Sequence, residues 1–171
     1  MKNNHKYLFL IGVLLAVISW SVAFAYWDKL PSVIPVHFGI DGQANGFANK
    51  SLFYVYLIPG IQTLMLGMFA FLYYKPQYSN IPSTMWLMAL NKKDRDTAFS
   101  LIRTMLSGMV VLMGVIFTYI SFAMNNAALT SDQTLSPVIL ITLLAFMLAW
   151  VIYWAVKVYG ATKKAVKNVK K

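Results

Sequence analysis

The chain has 171 residues, of which 59% are hydrophobic and only 12% are charged, and its mean hydropathy is +0.61. A water-soluble domain of this size carries about twice that charged fraction, so the composition indicates a membrane protein. The chain contains no cysteine, which excludes a disulfide framework and a thiolate metal site. The net charge is +10, but the Lys and Arg residues lie at the ends of apolar stretches. This arrangement favours anionic lipid over nucleic acid as a partner.

Four apolar stretches are each about 20 residues long, the length of α-helix that crosses a hydrocarbon core of about 30 Å. None has a charged residue in its interior. We therefore predict an all-α membrane protein, a four-transmembrane-helix bundle that forms a single domain over residues 1–171, with residues 76–171 as its second helix pair and basic tail. The predicted spans are Tyr7–Trp27, Leu52–Tyr74, Thr104–Met124 and Ser136–Val156.

The distribution of basic residues predicts the orientation. Thirteen of the fifteen Lys and Arg residues precede the first span, lie between the second and third spans, or follow the fourth span. Cytoplasmic loops collect Lys and Arg, so both termini are predicted to be cytoplasmic and residues 28–51 to lie outside. A cleavable signal peptide is the competing interpretation of the first span, because Lys2 and Lys6 precede an apolar stretch containing Ala23-Phe24-Ala25. The apolar stretch continues through Trp27, which favours a retained helix.

Each span also carries small residues three or four positions apart, which let transmembrane helices approach closely. This spacing places each set on one helix face, so we expect these faces to pack against neighbouring helices. The sets are Gly12, Ala16, Ser19 and Ala23; Gly60, Thr63, Gly67 and Ala70; Thr104, Ser107, Gly114, Thr118 and Ser121; and Thr142, Ala145 and Ala149.

The second span contains the intramembrane polar candidate, Gln62, close to Pro59 and Gly60. Proline removes a backbone donor and frees a carbonyl one turn earlier, so the helix is expected to kink there. A packing kink and a small polar pocket both remain open as interpretations. No ionisable residue lies inside any span, which argues against a proton-coupled pump or a voltage sensor.

The outer connection over residues 28–51 mixes turn-forming Pro and Gly with apolar residues. We expect it to fold back onto the outer ends of the helices, with His37 or Phe38 against them, instead of extending into solvent. It contains Pro35-Val36-His37-Phe38, then Gly42 and Asn45, and it ends with Phe47-Ala48-Asn49-Lys50.

These residues resemble DUF1648, the domain of unknown function found near the start of SdpI-type bacterial immunity membrane proteins. Its hallmark is Pro-x-His-Phe, followed by a Gly and by an aromatic-small-x-Lys ending, and the resemblance covers roughly residues 10–75. Six residues map onto the family's motif positions, to which the family gives no established catalytic role. They are Pro35, His37, Phe38, Gly42, Asn45 and Lys50.

The resemblance implies a bacterial cell-membrane protein that protects its producer from a secreted antimicrobial peptide. It also implies relay of that peptide's presence, because SdpI-type proteins hold a cytoplasmic repressor at the membrane. The present chain departs from the longer members, which carry additional spans after the shared domain.

Metal binding and catalysis find little support in the sequence. A metal site needs about three or more protein ligands, and the outer connection offers only Asp28 and Asp41 near His37, so neither a metal nor another cofactor is predicted. Nucleophilic catalysis needs an activated nucleophile with an oriented base, and nothing places Ser32 or Ser51 against His37. We therefore predict that the protein is not an enzyme and that His37 pins the connection through hydrogen bonds.

The cytoplasmic side carries three weaker signals. The apolar segment Met85–Leu90 is too short to span a bilayer and is predicted to be an interfacial helix. The segment Asn91–Asp96 carries opposite charges that can pair along a turn. The tail after Gly160 contains five lysines, which are expected to bind anionic lipids.

The leading functional hypothesis is a bacterial membrane accessory protein whose outer connection recognises a peptide or envelope component, in immunity or sensing. One alternative is a small transporter or permease subunit that opens around Pro59 and Gln62. Another is a structural partner of a larger membrane protein complex. A transporter needs a continuous polar path, whereas an immunity protein needs only an outer surface, so the bundle interior distinguishes these hypotheses.

Overall fold

The computed structural model describes residues 4–79, 87–88, 90–130 and 133–169. Within these residues, two β-strands and a 3₁₀ turn over Pro76–Ser79 accompany four α-helices long and apolar enough to cross a membrane. The all-α four-helix membrane bundle is therefore confirmed, with a folded connection between its first two helices. The helices are α1 (Asn4–Trp27), α2 (Leu52–Tyr74), α3 (Lys92–Ala127) and α4 (Pro137–Val169), and the strands are β1 (Val33–Phe38) and β2 (Ala44–Asn49).

The two strands pair antiparallel and form a hairpin between α1 and α2. The hairpin lies where α1 and α3 end and where α2 and α4 begin, which we call the hairpin end of the bundle. The opposite end, where α1 begins and α4 finishes, is the termini end. This arrangement places a folded β-structure on one end of the bundle only, within the described residues.

Helix α3 lies at the centre of the bundle, because it packs against α1, α2 and α4. Its most extensive interface is with α1, and two glycines make that interface close. A Cβ on Gly12 would overlap the side chain of Val110, and a Cβ on Gly114 would lie 2.9 Å from Leu15 Cδ1. Small residues on both helices thus bring α1 and α3 into direct contact.

The predicted small-residue faces are buried or half-buried in α1 and α3, partly exposed in α2 and exposed in α4. In α2, Thr63 and Gly67 are exposed, and the buried face carries larger residues such as Phe69. Over the same stretch of α4, the half-buried residues are larger ones such as Met147 and Trp150, and Trp150 packs against Gly108 of α3. A small residue is needed on one partner only, so the opposite helix uses a bulky one. The exposed set in α4 is Thr142, Ala145 and Ala149.

Two helices extend beyond the predicted spans at the termini end. Helix α3 begins twelve residues before Thr104, at Lys92, and α4 continues past Val156 to Val169. The two extensions pack on each other through an apolar face, so the helices do not stop at the charged residues. The buried residues of this contact are Ala98, Ile102, Val158, Thr162 and Ala165.

The segment before α3 differs from its prediction. Half of the predicted interfacial helix Met85–Leu90 lies outside the described residues, although Leu87 and Leu90 are described and buried. Asn91 caps α3, since its Oδ1 accepts a 2.9 Å hydrogen bond from the Asp94 N–H and its Nδ2 donates to Asp94 Oδ2 at 2.8 Å. The sequence predicted that opposite charges pair in this segment. In the structure, the Asp94 carboxylate instead accepts a hydrogen bond from Asn91, the residue that caps α3.

Candidate functional site

The hairpin is irregular around the motif histidine. Its cross-strand pairs run from Val33 and Asn49 to Phe38 and Ala44, with a register shift on each side of His37. A Cβ on Gly46, the residue opposite, would lie 2.8 Å from His37 Cβ. Glycine therefore leaves the space that the His37 side chain occupies.

The His37 imidazole links the two strands. Its Nδ1–H donates a short hydrogen bond to Oδ1 of Asn45, and both side chains are exposed. The hairpin turn is closed by two backbone bonds, from the Gly39 N–H to the Gln43 carbonyl at 2.8 Å and from the Gly42 N–H to the Gly39 carbonyl at 2.9 Å. The His37–Asn45 pair thus lies on an ordered turn and faces solvent.

The hairpin docks on the bundle through β1. Ile34 is only 6% exposed and packs with Leu30 and with Ala23, Val55 and Ala128 of the three neighbouring helices. Docking was predicted through His37 or Phe38, but His37 is exposed and Phe38 is half-buried. Ile34 makes the principal apolar contact with the bundle, because its side chain is buried whereas that of His37 is exposed to solvent.

Gly42 ties the hairpin turn to the connection between α3 and α4. Its φ is +83°, and a Cβ there would overlap the backbone carbonyl oxygen of Leu135. The Leu135 N–H donates to the Gly42 carbonyl at 2.8 Å, and the Ala44 N–H donates to the Gln133 carbonyl at 3.1 Å. The motif glycine is therefore required by conformation and by close backbone approach.

Lys50 fastens the end of the hairpin to the end of α1. Its Nζ donates to the carbonyls of Trp27 at 3.3 Å and Leu30 at 3.1 Å, and it lies 5.2 Å from the centroid of the Trp27 ring. A cation is favourable there, because the last carbonyls of a helix carry partial negative charge. The Trp27 ring stacks in turn on Tyr56 of α2, with the centroids 5.7 Å apart.

The six motif residues therefore separate into two groups. Pro35, Phe38, Gly42 and Lys50 are wholly or partly buried, whereas the side chains of His37 and Asn45 are exposed. Three apolar side chains are exposed beside them: Ile40 at 97%, Phe47 at 51% and Val33 at 49%. We call these five the exposed hairpin residues: Val33, His37, Ile40, Asn45 and Phe47.

A cavity of about 20 Å³ lies beneath β1, between α2 and α3. Pro35 and Ile58 contribute to its walls, and α3 contributes Ser121 and Asn125. Ser121 is 2% exposed and its Oγ has no hydrogen-bond partner, while Asn125 Nδ2 donates to the Ser121 carbonyl at 2.7 Å. The sequence singled out Ser121 only as a packing residue and missed Asn125, because its position on this face depends on the docked hairpin.

Gln62 lines a second cavity, of about 10 Å³, near the middle of α2. The side chain is 4% exposed, and neither Oε1 nor Nε2 has a partner in the described part of the chain. Nearby, Thr63 Oγ1 donates to the Pro59 carbonyl and accepts from Trp20 Nε1, both at 2.9 Å. Gln62 is thus the buried polar residue that its sequence position predicted.

A histidine that the sequence did not single out lies at the termini end. His5 is buried, and its Nδ1 is hydrogen bonded to the Tyr73 hydroxyl at 2.7 Å. The Nε–H of Arg103 donates to the Tyr73 carbonyl at 3.1 Å. Tyr73 therefore connects α1, α2 and α3, which gives this cluster a structural explanation. Among the described residues, no group of three or more His, Asp or Glu side chains is placed to hold a metal ion.

Comparison with known proteins identifies the hairpin region. Residues 14–63 match the family model of DUF1648, a domain of unknown function. The match begins in α1, includes the whole hairpin and ends in α2 just after Gln62, whereas α3 and α4 lie outside it. No curated protein and no solved structure matches the chain. The similarity to DUF1648 therefore covers the docked hairpin and the adjoining parts of α1 and α2.

Proposed function

We propose that the protein is a bacterial cell-membrane accessory protein whose hairpin recognises a peptide or envelope component, in immunity or sensing of the SdpI type. The proposal includes cytoplasmic termini, which place the hairpin outside. The observation that carries it is the contrast within the hairpin. Ile34, Gly42 and Lys50 fix it to three separate parts of the bundle, while the exposed hairpin residues remain uncovered.

A fixed hairpin suits recognition, because a binding surface that is already ordered loses little conformational entropy when a ligand binds. The exposed hairpin residues favour an apolar ligand surface, and the exposed carboxylate of Asp41 adds a negative charge at the same turn. Ile40 and Phe47 offer apolar contact, and the His37–Asn45 pair offers hydrogen bonding. A membrane-active peptide has both properties.

The transporter alternative has less support from the bundle interior. The cavity beneath β1 and the cavity at Gln62 hold about 20 Å³ and about 10 Å³, each enough for roughly one water molecule. Below Gln62, the described core is filled by Phe69, Val110 and Met113. A surface function fits this closed interior better than a transport path.

The structural-partner alternative rests on a different surface. Thr142, Ala145 and Ala149 form an exposed small-residue face on α4, which is the helix least covered by the rest of the bundle. Such faces let membrane helices associate closely. Association through α4 is compatible with ligand recognition at the hairpin, since the two surfaces belong to different elements.

The test is sensitivity of the host cell to membrane-active peptides. Deleting the protein should increase sensitivity to at least one peptide of a broad panel, and His37→Ala should reproduce the increase with unchanged protein abundance. Gln43→Ala is the matched control, because it removes another exposed polar side chain from the same hairpin. Unchanged sensitivity in the deletion strain, together with altered uptake or efflux of a small solute, would favour the transporter.

A further inference from the structure

The cavity beneath β1 and the cavity at Gln62 both lie between α2 and α3, and Gly12 of α1 also borders the second. We call this stretch of the interface the groove. On α2, Ile58 borders the first and Gln62 the second; on α3, Ser121 borders the first and Phe117 the second. Each pair is separated by four residues, about one helical turn or about 6 Å. The cavities are therefore stacked, with Ser121 and Asn125 nearer the hairpin and Gln62 deeper in the bundle.

The groove concentrates buried polar atoms that have no partner. Ser121 Oγ and both polar atoms of the Gln62 side chain lack hydrogen-bond partners among the described residues. Burial of such groups is unfavourable unless a hydrogen bond compensates, and native proteins satisfy most of them. Their alignment along one groove points to a hydrogen-bonding occupant.

The groove is polar at one end and apolar at the other. Asn125 lies near the hairpin, and Phe69, Val110 and Met113 close the groove at its deep end. No Asp, Glu, Lys, Arg or His lines either cavity. An ion has no counter-charge there, so the lining selects an uncharged hydrogen-bonding group.

We propose that α2 and α3 enclose a binding pocket beneath the hairpin, with Asn125 and Ser121 as its walls and Gln62 as its floor. It takes an uncharged amide or hydroxyl group, carried by a peptide side chain or by a small solute. The peptide source rests on the proposed function; the pocket itself does not. Ile34, Pro35 and Val36 of β1 cover the first cavity, so a ligand that enters from the hairpin end has to displace β1.

Pro59 lies between the two positions of α2 that border the cavities, Ile58 and Gln62. Because proline lacks an N–H, it removes one hydrogen bond from the middle of α2. Our proposal includes a movement of the first turns of α2 at this residue, which joins the two small cavities into one pocket.

The experiment uses single cysteines, because the chain has none of its own. Ser121→Cys and Asn125→Cys report on the walls, and Ser107→Cys is the matched control. Ser107 lies on the same helix, is 0% exposed and also has an unpartnered Oγ, but it lines neither cavity. The full chain in lipid vesicles is treated with methyl methanethiosulfonate, a small uncharged reagent that reacts with the hydrated thiolate.

The wall cysteines should react about tenfold faster than Ser107→Cys, because only a pocket open to water supports thiolate formation. Acetamide should slow the reaction, and sodium acetate, its charged analogue, should not. Rates at Ser121→Cys and Asn125→Cys no greater than at Ser107→Cys would overturn the pocket. Equal slowing by acetate would overturn its selectivity for uncharged groups.

Two further measurements keep the outcomes separate. Complete labelling after denaturation in detergent verifies that each cysteine is present, and Asn125→Cys reads the same wall if Ser121→Cys fails to fold. Stronger protection by N-acetylasparagine amide than by acetamide supports a peptide side chain as the ligand, whereas the reverse order supports a small solute. Unchanged peptide sensitivity in the deletion strain would contradict the proposed function but would not affect the labelling rates of the cysteine variants.

Discussion

The two ends of the bundle are held together by different kinds of contact. At the hairpin end, Gly42 and Leu135 meet through their backbones, and Lys50 binds the backbone carbonyls of Trp27 and Leu30. At the termini end, His5 bonds the Tyr73 hydroxyl, a contact between two side chains, while Arg103 binds the Tyr73 backbone carbonyl. A backbone contact depends on chain conformation, so the hairpin end should tolerate substitution less than the termini end.

The largest effect is expected at Gly42. Gly42→Ala forces a side chain into positive φ and against the Leu135 carbonyl, and it should lower the free energy of unfolding by about 3 kcal/mol. Denaturant unfolding in detergent micelles measures the change. Gly60→Ala is the control, since open space surrounds its Cβ position and alanine favours a helix. Equal stability of the two variants would remove the distinction between the ends.

Several features of this contrast could be predicted from the sequence. The four helices follow from apolar stretches of membrane-spanning length, and Gln62 was identified because a lone carboxamide in such a stretch is conspicuous. The turn-forming Pro and Gly residues indicated a folded connection. The hairpin strands were missed, because the same residues interrupt the alternation that normally reveals a strand.

The remaining errors arise from contacts between distant segments. Small-residue spacing locates a helix face but cannot say what covers it, so the predicted faces of α2 and α4 proved to be exposed at Gly67 and Ala145. The charged residues Arg103 and Lys157 suggested the ends of spans, yet α3 and α4 continue past them and pack on each other there. The pocket residue Asn125 acquires its surroundings only when β1 docks above it.

A smaller effect is expected at Lys50, whose contact at the hairpin end joins a charged side chain to backbone acceptors. Lys50→Met keeps much of the aliphatic length but loses the bonds to Trp27 and Leu30, so stability should fall by about 1.5 kcal/mol. Lys29→Met is the control, since Lys29 is exposed and its ammonium group contacts the Tyr26 ring only at 5.7 Å. Thermal unfolding of both variants measures the difference. Similar midpoints would show that the Lys50 bonds to Trp27 and Leu30 do not contribute to stability.

The smallest effect is expected at Tyr73, where the termini end relies on one hydroxyl. Tyr73→Phe keeps the ring packing against Phe9 and the carbonyl that accepts from Arg103, but it removes the bond to the buried His5. The loss should be about 1 kcal/mol, the net contribution of one hydrogen bond.

Tyr74→Phe is the matched control for that change, because Tyr74 is 72% exposed on the neighbouring position of the same helix. Hydrogen exchange of the first turns of α1 provides a local measurement, since His5 is the residue that Tyr73 holds there. Faster exchange confined to α1 in Tyr73→Phe is the expected result. If Tyr73→Phe instead destabilises the chain as much as Gly42→Ala, the termini end depends on a specific contact as strongly as the hairpin end does. The difference between backbone-held and side-chain-held ends would then not govern the stability of this bundle.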